Sequence, residues 1–261
     1  EIIWKSGQAE AAISKFLIIA DTLYTRGDAR QAMQLYQRVL RLAPMDTSIH
    51  TKLIDLLASN GETDRALEQY LALADVYYQL ANPEKAREKY SEALQLARRG
   101  TTGRKWTTQI WHKIGEMDAQ LGDWKRAVQT YEQIRRVDPG DEKAQLILIE
   151  LYYKIERRRA VQEIDELIKE YRTDQKLHKL VPIVEEQARR HPQDMALIAR
   201  AAQVSLESGL KGKGIEHLNQ LGEMQLNAGL TKQAISTIRA IVALNPPNVN
   251  DYRTLLAQIG G

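Results

Sequence analysis

Residues 111–139 read WHKIGEMDAQLGDWKRAVQTYEQIRRVDP. Along this stretch Trp111, Ile114, Gly115, Gly122, Ala127, Tyr131 and Pro139 follow one another as large, apolar, small, turn, small, aromatic and proline. Ile110, Ile114, Met117 and Leu121 recur at three- and four-residue steps and lay an apolar stripe along one side of a helix, which needs a partner to cover it. Gly122-Asp123 supplies a left-handed C-cap followed by a helix-starting residue. A second helix then crosses the first where the methyl group of Ala127 lets the backbones approach. Tyr131, one turn further on the same face, fills the wider gap beside the crossing. Pro139 stops that second helix. The stretch predicts a helical hairpin.

The pattern recurs along the chain. Gly27, Ala32, Tyr36 and Pro44 carry it, as do Gly61 with Ala66 and Tyr70, Ala86 with Tyr90, and Gly229, Ala234, Ile238 and Pro246; Pro192 closes another second helix. This signature resembles the tetratricopeptide repeat, most fully in the repeat ending at Pro139. The resemblance implies an all-α, right-handed solenoid of helical hairpins. Fourteen helices are expected, near 8–24, 29–42, 47–58, 62–80, 83–97, 105–121, 124–137, 142–155, 157–171, 176–190, 194–208, 212–227, 230–243 and 249–259, and no strand. The segment from Ala11 (AAISKFLIIADTLYTRGDARQA) aligns with that from Arg65 (RALEQYLALADVYYQLANPEKA) at an offset of 54, and Ala160 to Gly214 repeats that offset. Fifty-four is not a multiple of the 34-residue repeat, so one long helix, such as 62–80, is expected to serve both as second helix of one hairpin and first helix of the next.

We expect one repeat domain over 1–261, with two irregular places. Residues 98–107 read as a basic inter-repeat loop. Residues 156–190 read as a degenerate repeat: the turn glycine before Ala160 is missing, Arg157, Arg158 and Arg159 fill the corner, and Leu180 stands where the crossing alanine belongs. Pro182 falls inside the expected helix and should kink it or delay its start.

The 261 residues are 43% hydrophobic and 27% charged, enough apolar material for a core. No stretch approaches the roughly 18 apolar residues of a membrane span, and the N-terminus lacks the order of a signal peptide. A soluble, cytoplasmic protein is therefore expected. The chain starts at Glu1, as a processed or excised piece of a longer protein would. A formal net charge of +3 is too balanced for an obligate nucleic-acid coat. Zero cysteines exclude disulfides, thiol nucleophiles and cysteine-ligated zinc. There is no HExxH, no phosphate loop ending in Gly-Lys-Ser/Thr and no complete GxGxxG. The glycine-rich GLKGKG of 209–214 follows a helix rather than a strand and reads as a turn. His50, His112, His178, His191 and His217 never pair at metal-ligand spacing. No enzyme activity, metal or cofactor is expected.

What remains is binding. The resemblance places ligands in a concave groove lined by the first helix of each hairpin; carried onto this chain, the groove positions are Lys52, Asp55, His112, Lys113, Glu116, Lys143, Glu150, Tyr153, Lys154, Arg200 and Gln203. Lys113 and Lys154 would act through charge beside Tyr153 as an apolar anchor. Family members that clamp a chaperone's C-terminal carboxylate use lysine with asparagine, then lysine with arginine; here Thr51 with Asp55, or His112 with Glu116, stand there instead, so that clamp is absent. Taken singly, each groove residue also reads as solvated helix surface.

A second surface is basic. Arg98, Arg99, Arg104, Lys105 and Lys113 lie within 98–113 with no acidic residue among them, and 98–160 carries a net +5 against −2 for 1–97 and 0 for 161–261. Trp111 holds the repeat's structural aromatic position, which leaves Trp106 free for stacking. A solvated loop, an acidic protein partner and nucleic acid are the readings, in that order. The expected function is a non-catalytic interaction scaffold for a peptide or assembly partner. An RNA-binding array using the basic patch and a regulatory segment of a larger enzyme are the alternatives, and the oligomeric state is left open.

Overall fold

The computed structural model describes residues 2–98 and 103–260, with side chains from residue 11 onward. Among the described residues there are fourteen α-helices and no strand: α1 (Ile2–Thr25), α2 (Ala29–Leu42), α3 (Thr47–Ser59), α4 (Thr63–Gln79), α5 (Pro83–Ala97), α6 (Gly103–Gln120), α7 (Trp124–Val137), α8 (Glu142–Ile155), α9 (Arg157–Thr173), α10 (Val181–Arg190), α11 (Met195–Glu207), α12 (Lys211–Asn227), α13 (Thr231–Ala243) and α14 (Val249–Gln258). The chain is an all-α helical-repeat protein.

Backbone contacts divide it into two compact units, Glu1–Ala144 and Gln145–Gly261. In the first, α1 pairs with α2, α3 with α4, α4 with α5, and α6 with α7, while α2 packs on α3 and α5 on α6. The long helix α4 is thus shared by the hairpins on either side, as the 54-residue offset predicts. In the second unit α12 is shared in the same way by α11 and α13.

The crossing alanines Ala32, Ala66, Ala86, Ala127 and Ala234 are all fully buried, as are Tyr36 and Tyr131, with Tyr90 at 2% exposure. Tyr70 is only half-buried. It stands on the shared helix α4, whose face is divided between α3 and α5, so no single gap encloses its ring. Gly115 shows how tight a crossing becomes: a Cβ there would lie 2.5 Å from the ring of Tyr131. Only a hydrogen in that place lets α6 and α7 pack with the tyrosine between them.

Two expectations are corrected. Residues 98–107 are not a loop throughout, because α5 runs to Ala97 and α6 already begins at Gly103. The start is early because Gly103 has no Cβ, and one would lie 2.6 Å from the carbonyl oxygen of Ala97. Within α6, Trp106 lies one turn before Ile110 and two before Ile114 on the same face. The expected helix over 176–190 is in fact a 3₁₀ turn, Leu177–Leu180, followed by α10 from Val181, with Pro182 in its first turn. Proline is accommodated there because those N–H groups have no helical partner. The remaining boundaries agree closely, except that α1 begins at Ile2.

Candidate functional site

Several of the expected groove positions carry inter-helix ion pairs. On α3, Lys52 donates to Asp21 of α1 at 2.7 Å, and the hydroxyl of Tyr36 on α2 donates to the same carboxylate. On α6, Lys113 donates to Asp75 of α4 at 3.1 Å, and Tyr90 on α5 donates to Asp75 at 2.7 Å. These are two copies of one device, in which a carboxylate joins a tyrosine of its own hairpin to a lysine of the next first helix. Burial would raise the Asp21 carboxyl, but the hydrogen bonds from Lys52 and Tyr36 outweigh it and hold it below its ordinary value of 3.8. Burial and the adjacent carboxylates push the Tyr36 and Tyr90 hydroxyls upward.

Further along α6, Glu116 accepts from Lys143 of α8 at 2.7 Å. His112 bonds through Nε2 to Asp141 at 2.7 Å and lies edge-on to the ring of Tyr131, 5.6 Å between centroids. The hydrogen bonds from His112 and the Ala144 N–H overcome the burial of Asp141 and lower it.

In the second unit Arg200 of α11 forks onto Asp165 of α9, both bonds 2.9 Å. Glu150 pairs with Arg190, and Gln203 donates to Glu207 at 2.9 Å. Tyr153 is not a free anchor: its ring stacks on His191 at 3.9 Å, and its hydroxyl donates to Asp194 at 3.3 Å. Asp194 is 3% exposed, caps α11 through the N–H groups of Ala196 and Leu197, and accepts from Arg157 at 2.7 Å. Burial raises this carboxyl less than those bonds lower it. Asp55 and Lys154 are exposed.

The basic patch takes a different form from the one expected. Arg99 lies outside the described residues. Arg98, Arg104 and Lys105 are exposed, and Arg104 reaches Asp138 at 3.4 Å. Trp106 is not free: it is 7% exposed, packs in the core with Leu67, Leu71 and Ile110, and its Nε1–H donates to Asp64 at 2.8 Å. The patch therefore presents cations without a stacking ring.

The chemistry available on this surface is recognition through paired charges. A lysine in such a pair keeps two further N–H donors, so a ligand carboxylate can join a pair without breaking it. The carboxylates themselves were missed by sequence reading, although the signal was present: Asp21 in ADTLY and Asp75 in ADVYY stand at the 54-residue offset, as do Tyr36 and Tyr90. Among the described residues, no group of three or more His, Asp or Glu side chains could hold a metal ion, and no helix is long and apolar enough to cross a membrane.

Two sequence models of the tetratricopeptide repeat match, over residues 62–139 and 19–75. Residues 19–139 belong to the tetratricopeptide-repeat family. Neither match extends past residue 139. No curated protein matches the sequence. Among solved tetratricopeptide-repeat and related structures, the chain is similar to MamA, at 20% identity over 63% of this chain and 94% of that one with a TM-score of 0.36. It is also similar to YrrB, described as having an unusual peptide-binding site, at 17% identity over 62% and 91% with a TM-score of 0.33. A third is the C-terminal part of a repeat protein from Cytophaga hutchinsonii, at 15% identity over 90% and 98% with a TM-score of 0.41.

Proposed function

We propose that this tetratricopeptide-repeat protein is a non-catalytic scaffold that holds a peptide or assembly partner on the surface of its first helices. The observation that supports the reading is the repeated carboxylate–lysine pairing: Asp21 with Lys52, Asp75 with Lys113, and Glu116 with Lys143 each join one first helix to the next. Such pairs fix solvent-exposed side chains in place before a partner arrives, which lowers the ordering cost of binding. Exposed pairs contribute little to stability, about 0–1 kcal/mol each, so their recurrence on one surface is better explained by what that surface meets.

An extended or helical segment carrying carboxylates would accept the spare donors of Lys52, Lys113 and Lys143. The test is affinity capture from the source lysate with wild type and with Lys113→Glu combined with Lys154→Glu. Loss of specific partners by at least roughly tenfold, about 1.4 kcal/mol, supports the reading. A captured set that survives this variant and disappears with Arg104→Glu and Lys105→Glu overturns it and puts recognition on the basic edge. Binding that falls steeply with salt and is competed by RNA would favour the nucleic-acid alternative, which loses support from the burial of Trp106.

A further inference from the structure

The last hairpin repeats the small, turn and terminating positions of the α6–α7 hairpin at an offset of 107: Gly222 stands where Gly115 does, Gly229 where Gly122, Ala234 where Ala127 and Pro246 where Pro139. What fills the space differs. Beside Gly115 the crossing is closed by the Tyr131 ring, with His112 set edge-on to it and tied to Asp141. The corresponding residues are Ile238 and Asn219, both smaller, and Asn248, which has the size of Asp141 but no charge. A Cβ on Gly222 would meet nothing nearer than Ile238 at 3.8 Å. A cavity of about 310 Å³ results between α12, α13 and α14, walled by Leu218, Gly222, Leu226, Ile238, Ile241 and Leu255. That lies at the low end of the roughly 300–1,000 Å³ of binding pockets and admits one aromatic side chain.

The rim has lost a cation as well. Glu116 pairs with Lys143; Glu223 is the counterpart of Glu116, and Asn250 stands in the sequence where Lys143 does. Asp251 replaces the buried Ala144 and adds a second carboxylate to the cavity edge. Among the described residues neither Glu223 nor Asp251 has an ion-pair partner, and the neighbouring Arg253 donates to Asn250 at 3.3 Å instead. By contrast, among the described residues Asp21, Asp75, Glu116 and Asp165 are each paired, although Asp55 on α3 is not.

From this we infer that the α12–α14 cavity is a socket for a partner segment presenting an aromatic side chain next to a lysine or arginine, which replaces the ring and the cation that the α6–α7 hairpin supplies internally. The apolar walls take the ring, and Glu223 and Asp251 take the cation. The inference rests on the scaffold reading only in making the occupant a peptide, and it concerns residues that the capture experiment does not alter.

The probes are two capped tripeptides, Lys-Trp-Lys and Glu-Trp-Glu, titrated into the methyl-labelled chain and followed by NMR. Lys-Trp-Lys should shift the methyl resonances of Leu218, Ile238 and Leu255 and bind at least tenfold more tightly than Glu-Trp-Glu. Ile238→Tyr should fill the socket from within, abolish the shifts and raise the melting temperature. Asn250→Lys, on the exposed rim, should restore the internal cation and weaken Lys-Trp-Lys without disturbing the fold. Methyl resonances that do not move with Lys-Trp-Lys, equal binding of the two peptides, or unchanged affinity in both variants would each overturn the proposal. Should the socket fail while Lys113→Glu with Lys154→Glu still releases captured partners, the scaffold reading stands without it.

Discussion

Gly115 and Tyr131 make a tight crossing, since a Cβ on Gly115 would lie 2.5 Å from the ring and two more ring atoms lie within 3.0 Å. Tyr131 is fully buried and has nowhere to swing. Gly115→Ala should therefore destabilise the protein by about 1–3 kcal/mol, the usual range for overpacking, even though alanine is the better helix former. Urea denaturation measures it, and a variant as stable as wild type would show that the crossing is looser than described. The Tyr153, His191 and Asp194 cluster makes a second prediction. Desolvation holds His191 below its ordinary 6.5, and does the same to His217, so the unfolded chain takes up those protons first. Stability must then fall as the pH drops below about 6.5. The carboxylates Asp21, Asp141 and Asp194 are held below 3.8 in the fold, so their contribution is present above that value and lost only in stronger acid. The melting temperature should decline between pH 7 and 5, and His191→Gln should flatten part of that slope. A slope unchanged by the substitution would remove His191 as its cause.

Turns between helices follow one geometry with two chemistries. After α6, Gly122 sits at φ 76° with its N–H bonded to the Ala119 carbonyl, and Asp123 bonds back to Asp118. After α4 the same two bonds form from Ala81 to Tyr78 and from Asn82 to Tyr77, but Ala81 must hold φ 56° with a side chain attached. The left-handed conformation costs a non-glycine residue about 1–2 kcal/mol, part of which glycine gives back through its freedom in the unfolded chain. Ala81→Gly should raise stability by about 0.5–1 kcal/mol, seen as a higher urea midpoint at unchanged slope; a loss would show that the turn is not strained. These elements were legible because glycine turns, crossing alanines and terminating prolines each answer to a local steric demand. The shared helix α4 was legible from the 54-residue offset. Trp106 was not, since its burial comes from packing on Leu67 and Leu71 of α4 and its bond to Asp64, contacts about forty residues away that periodicity does not reveal. The candidate groove residues could be assigned to helices from the sequence, but their partners could not. Periodicity put Lys52 and Lys113 on first helices, but the carboxylates that hold them come from the preceding first helix, a relation fixed only by packing.

Each hairpin buries an apolar face against its neighbours, so stability should sum from local terms in the manner of a one-dimensional array. Ala32 and Ala127 test this within the first unit. Both are fully buried at helix crossings, α2 packing on α1 and α3, and α7 on α6, with four helices between α2 and α7 in the chain. Leucine at either site must push two helices apart, so Ala32→Leu and Ala127→Leu should each destabilise by about 1–3 kcal/mol. Because the two sites share no packing partner, the double variant should lose the sum of the single losses to within about 0.5 kcal/mol. Urea unfolding of the four proteins, followed by far-UV circular dichroism, supplies all the terms. Single variants that melt with wild type would mean the alanines do not mark the crossings. A double variant that departs from the sum by more than that margin would mean that a strain at α2 reaches α7 through the shared helix α4, and the repeats would then have to be treated as one cooperative body.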